Sequence, residues 1–96
     1  MAEVICYHLI TGVEIVGTLT DETEEFFILE KVRKIHTTVE NGELTIMLLP
    51  YASGNLDVEM DFFHESIVSD YEPDSDFIAS YNRQIYGADI ATSIGV

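Results

Sequence analysis

The stretch Leu9–Lys31, LITGVEIVGTLTDETEEFFILEK, constrains the chain more than any other. Thr11-Gly12 marks a turn, and Val13–Thr20 reads as a strand. Val13, Ile15, Gly17 and Leu19 share one face of it, and Glu14, Val16, Thr18 and Thr20 the other. A glycine inside a strand weakens it unless a bend or a close approach requires one. Small barrels contain such bends, where a strand must pair with neighbours on both sides. Asp21–Glu25, DETEE, follows as a turn carrying four carboxylates. Phe26–Val39, FFILEKVRKIHTTV, then reads as a long third strand with a broken alternation. Phe27 and Leu29 share parity with Lys31 and Arg33, and then with Ile35. A switch of faces of this kind predicts a bulge or a sharp bend.

The remaining chain extends the same pattern. Glu3–Ile10 is rich in β-branched and aromatic residues and predicts a first strand. Asn41-Gly42 is the strongest hairpin signal, because both residues tolerate positive φ. Glu43–Leu49 returns as a fourth strand, and Pro50–Asp57, PYASGNLD, interrupts it with turn chemistry. Val58–Phe63 is again extended, His64-Glu65-Ser66 is a corner, and Ile67–Tyr71 is a short last strand. Pro73 opens a helix capped by Asp74 or Ser75, with Phe77, Ile78, Tyr81 and Ile85 at helical spacing up to Gly87. The expected architecture is a mainly all-β, strongly bent antiparallel barrel over residues 1–72, a C-terminal helix over 73–87 and a small apolar tail over 88–96.

Charge narrows the function. The 96 residues carry 18 acidic and 4 basic side chains, a net charge of −14, yet 47% are hydrophobic. One domain of this length buries a modest share of its surface, so an oligomer interface is a natural place for the remaining apolar area. The acidity argues against a general phosphate-binding surface. Lys31, Arg33 and Lys34 form the one basic cluster, which reads either as an RNA-backbone contact or as the cross-strand balance of DETEE. Cys6 stands alone in an apolar strand, as expected of a small core residue in a reducing, cytoplasmic compartment. The opening MAEVICY predicts no secretory leader, and no apolar run reaches membrane-spanning length.

Leu9, Thr11-Gly12, Glu14, Gly17, Thr18 and Leu19, an acidic turn and then Phe27-Ile28-Leu29 resemble the first motif of the Sm-like (LSm) family. His64-Glu65-Ser66-Ile67-Val68 occupies the place of the shorter second motif. The chain is especially similar to the short Sm-like proteins of marine cyanophage, which would place it in a host cytoplasm. The resemblance covers residues 3 to 72 and implies a five-stranded bent barrel. It also implies a homo-oligomeric ring of five to seven protomers, closed by strand pairing between Glu43–Phe63 and Ile67–Tyr71 of neighbours. Family members usually place a helix before the first strand, whereas this chain carries one after the last. Members that bind uridine-rich RNA use an Asp-x-x-x-Asn turn and an Arg-Gly or Lys-His corner. Here the turn is shorter, the Asn position falls at Phe26, and the corner is His64-Glu65. The implied single-stranded RNA contacts are Phe26 and His64, with Lys31, Arg33 and Lys34 on a rim. The open alternative is an acidic ring that binds a host protein, as a scaffold or as a nucleic-acid-mimicking decoy.

Other chemistry finds no frame. His8, His36 and His64 are too far apart in sequence for a metal motif and read as structural. Asp70–Tyr81 lacks the glycine and closing Glu of a calcium loop, so Asp74 and Asp76 read as helix-capping residues. No nucleophile motif or glycine-rich phosphate loop occurs, so neither catalysis nor a cofactor is expected. Phe77, Tyr81 and Tyr86 read as a packed helix face.

Overall fold

The computed structural model describes residues 3–87, so the predicted tail lies outside the described residues. Six strands form one antiparallel sheet: β1 (Glu3–Leu9), β2 (Glu14–Glu22), β3 (Phe26–Glu40), β4 (Glu43–Pro50), β5 (Met60–Phe63) and β6 (Ile67–Tyr71). The strand order is β4-β3-β2-β1-β6, with β5 also paired to β3. The five strands implied by the resemblance are corrected to six: Pro50 and the turn-rich loop after it separate β4 from β5, as the residue pattern predicts. The sheet is strongly bent but not closed by hydrogen bonds, since β5 and β6 are joined by the 3-10 turn His64–Ser66 rather than paired.

The bend lies in β3. Its first half, Phe26–Leu29, pairs with β5, and its second half, Arg33–Glu40, pairs with β4. Between the halves Lys31 takes φ 53°, a left-handed conformation that side chains disfavour. The β2–β3 register shifts opposite this point, between Val16 and Thr18. Gly17 sits in the gap, and a Cβ there would lie 3.1 Å from Leu29 Cβ and Cδ1. Gly17 is therefore a close-approach glycine, as its position within the strand predicts. Asn41 and Gly42 turn the β3–β4 hairpin with φ 53° and 80°, the geometry of a type I′ turn.

Because strand side chains alternate, both faces of the sheet carry a core. Inside the bend lie Tyr7, Leu9, Ile15, Phe27, Leu29, Val32 and Phe62. Phe27 anchors them, stacked on Tyr7 at 4.5 Å and on Phe62 at 5.5 Å between ring centroids. The outer face presents Cys6 and Val16, which pack under α1 (Ser75–Asn82) against Tyr81 and Ile85. Asp74 caps α1, its Oδ1 accepting from the Phe77 amide at 2.9 Å. The helix continues through one wider turn, Arg83–Gly87. Tyr81 is fully buried, and its hydroxyl donates to the Lys31 carbonyl at 2.8 Å. That uses its one proton, so Thr18 Oγ1, 3.1 Å away, donates to the tyrosine oxygen. The expected packed helix face holds for Phe77 and Tyr81, whereas Tyr86 is exposed.

Candidate functional site: the corner between the acidic turn and the 3-10 turn

The turn between β2 and β3 is organised by Thr23. Its Oγ1 accepts from the Phe26 amide at 3.1 Å and the Glu25 amide at 3.3 Å. It also donates to the Phe26 carbonyl at 3.0 Å. A hydroxyl that both accepts and donates locally can hold so tight a turn although its neighbours are charged. The strand before it runs further than the sequence suggests, through Asp21 and Glu22.

The 3-10 turn docks onto this one. The His64 amide donates to the Glu25 carbonyl at 3.1 Å, and His64 Nε2 lies 2.9 Å from the Thr23 carbonyl. A carbonyl can only accept, so Nε2 carries a proton. Glu22 Oε2 stands 3.7 Å from the same nitrogen. The imidazole also tilts over Phe27 at 5.5 Å, which ties the corner to the inner core. Glu24, Glu25, Phe63, His64 and Glu65 line a cavity of about 570 Å³ at this junction. Phe26 meets Phe63 edge-on at 6.4 Å, and Phe63 is 62% exposed.

Phe26 and His64 are thus brought together at one corner. Lys31, Arg33 and Lys34 are not part of it, and no lysine or arginine lines the cavity. Lys31 lies at the β3 bend, its Nζ 5.8 Å from the Tyr86 ring, within cation–π range. Arg33 is 8% exposed and turned inward, its Nη1 donating to the Val32 carbonyl at 3.1 Å and the Leu56 carbonyl at 3.0 Å. Lys34 borders a separate cavity of about 370 Å³ with His8, Glu14 and His36. The cross-strand balance of DETEE by the basic cluster does not form: among the described residues the ion pairs are His8–Glu14 and His64–Glu22. The reason is register. Asp21 and Glu22 oppose Ile28 and Phe27, while Arg33 and Lys34 oppose Val16 and Ile15. Acids and bases stand at opposite ends of the hairpin. Phe63, which the sequence reading passed over, is the exposed aromatic of the site. Its signal was parity: Phe62 is inward, so Phe63 faces out.

The strand edges complete the picture. Among the described residues β4 pairs only with β3, and β6 only with β1. Leu44, Ile46 and Met47 on β4 are exposed, as are Val68 and Tyr71 on β6. β6 is held by polar contacts. Tyr71 donates its hydroxyl proton to Glu14 Oε2 at 2.5 Å, and Ser69 Oγ lies 3.3 Å from His8 Nδ1. Burial, and next the bond to Glu14, push the Tyr71 phenol well above its ordinary range.

Among the described residues no group of three or more His, Cys, Asp or Glu side chains is placed to hold a metal ion, and no helix is long and apolar enough to cross a membrane. No protein-family model matches the chain, and no curated protein matches it.

Proposed function

We propose that the chain is an Sm-like protomer that closes into a homo-oligomeric ring of five to seven copies and takes unpaired bases of single-stranded RNA at its corner cavities. The observation that carries this reading is the pair of free, apolar edges at the two ends of one bent sheet, Leu44, Ile46 and Met47 on β4 and Val68 and Tyr71 on β6. Unpaired edges of this kind invite strand pairing with another chain. Joining the β4 edge of one copy to the β6 edge of the next is a head-to-tail contact, and head-to-tail contacts close into rings when the rotation allows. Base binding is by stacking on Phe63 and Phe26, with Nδ1 as the His64 ring nitrogen left for the base, and with no help from phosphate contacts.

Light scattering after size exclusion tests the assembly. The expected mass is five to seven times the 10.8 kDa protomer, and Ile46→Lys on the β4 edge lowers it to one protomer. A monodisperse monomer at high concentration overturns the ring. Fluorescence anisotropy with uridine-rich and adenine-rich oligonucleotides tests the ligand. Since the cavity has carboxylates and no lysine or arginine, and the protein carries −14, affinity rises with added salt, opposite to the usual release of counterions. No binding at micromolar protein, or binding unchanged in Phe63→Ala, removes the RNA reading and leaves the ring.

A second reading rests on Glu24, Glu25 and Glu65 around the same cavity. Repeated around a ring, they would attract a basic segment of a partner protein, as an acidic scaffold or decoy. Binding of a lysine-rich peptide that weakens with salt, without RNA binding, selects it.

A further inference from the structure

Arg33 sits where a cation is costly. It is 8% exposed, and among the described residues no carboxylate lies within salt-bridge distance of it. Among the described residues its two hydrogen bonds both use Nη1. A guanidinium offers five N–H donors in a fixed fork, so Nη2 and Nε remain for another acceptor. Arg33 lines an open cleft of about 270 Å³ between β4, the loop after it and the helical segment. Leu48, Pro50, Leu56 and Ile85 give that cavity branched aliphatic walls, and Asp57 and Gln84 add polar groups. Asp57 is exposed while Arg33 is buried, so the cavity carries opposite charges at different depths.

We propose that this cavity binds a free apolar α-amino acid as its zwitterion. The carboxylate takes the open side of the Arg33 fork, the ammonium faces Asp57, and the aliphatic side chain lies against Leu48, Leu56 and Ile85. The volume suits one such molecule and is small for a nucleotide. No aromatic ring lines the cavity, so it offers no stacking platform for a base, unlike the corner with Phe63. A phosphate would meet Asp57 and the protein's net negative charge. The site does not depend on RNA binding.

The test is a methyl NMR titration of the full chain with L-leucine, following Leu48, Leu56 and Ile85. Saturable shifts with a dissociation constant on the order of 1 mM or tighter are expected for so small a ligand. N-acetyl-leucine, which lacks the ammonium, and leucinamide, which lacks the carboxylate, bind at least ~10-fold more weakly. Replacing Arg33 also removes its tether to Leu56 and endangers folding, so Asp57→Asn on the surface is the decisive variant. It weakens leucine about 10-fold and leaves N-acetyl-leucine unchanged. Shifts absent in tens of millimolar leucine, equal affinity for all three compounds, or undiminished leucine binding by Asp57→Asn overturn the proposal.

Discussion

The inner face of the sheet is filled by the sheet's own side chains, whereas the outer face is closed by a helix that follows the last strand. Inside, aromatic rings stack around Phe27. Outside, the cover is a short helix, and a buried phenol bonds to Thr18 and to the strained Lys31. The inner face is stabilised mainly by area removed from water and by close packing. The outer face adds directed bonds, which lose little in count when cut but leave buried polar groups exposed to cost. The comparison teaches that the bend has two supports of different chemistry, and that they can be cut separately.

The largest effect is expected inside. Phe27→Ala removes the ring between Tyr7 and Phe62 and costs about 3–5 kcal/mol in urea denaturation. A loss below ~1 kcal/mol would mean the inner stack is dispensable and would break the comparison. Gly17→Ala comes next. Its Cβ would press on Leu29 Cβ at 3.1 Å, an atom too near the backbone to swing away, and the overpacking costs roughly 1–3 kcal/mol. Tyr81→Phe keeps the outer packing and deletes only the hydroxyl. It leaves the Lys31 carbonyl short of a donor and costs about 1–2 kcal/mol, with faster amide exchange around the bend. Asp74→Ala removes the cap of α1 and costs about 1 kcal/mol, read as a lower Tm. The last effect is absent at neutral pH. Burial pushes the Cys6 thiol from 9.0 up to about 11 and the Tyr81 phenol from 10.0 up to about 12. Both folded values lie above the unfolded ones, so their contribution is full below pH 9 and is lost as pH rises through about 12. Thermal melts followed by circular dichroism should be flat in this respect below pH 9 and fall above it. Cys6→Val should flatten the part between 9 and 11.

The bend itself was legible in the sequence. The parity break across Leu29, Lys31 and Arg33 announced a bulge, and Gly17 announced what it packs against. Asn41-Gly42 set the hairpin, and the corner followed from the position of His64 after an extended run. Phe26 and His64 were paired in advance only by the resemblance to Sm-like proteins; Phe26 proves to oppose Phe63, the neighbour of His64. Arg33 could not be placed. The bulge at Lys31 sends Val32 into the inner core and Arg33 to the opposite face, and parity alone would leave that face in water. It is covered instead by a helix and a loop distant in sequence, with Leu56 supplying the carbonyl that fixes the guanidinium. Single-sequence patterns report which side a residue takes and not what later comes to lie over it. The gap after the fourth strand was legible in Pro50 and the turn residues behind it, but the return of β5 to pair with the other half of β3 is a long-range event.

The hydroxyl of Tyr81 reaches a carbonyl 50 residues earlier in the chain. During synthesis the ribosome releases residues in order, and the bend at Lys31 emerges well before its lock. A nascent chain can therefore collapse around Phe27 while its left-handed residue is still unsecured. The finished curvature becomes available only after Tyr81 has been translated. Contacts of such long range slow folding because the loop must close before the bond contributes. Mature edges would then form only after Tyr81 has emerged, and a stop codon placed just before Tyr81 would yield a sheet that collapses without its final curvature.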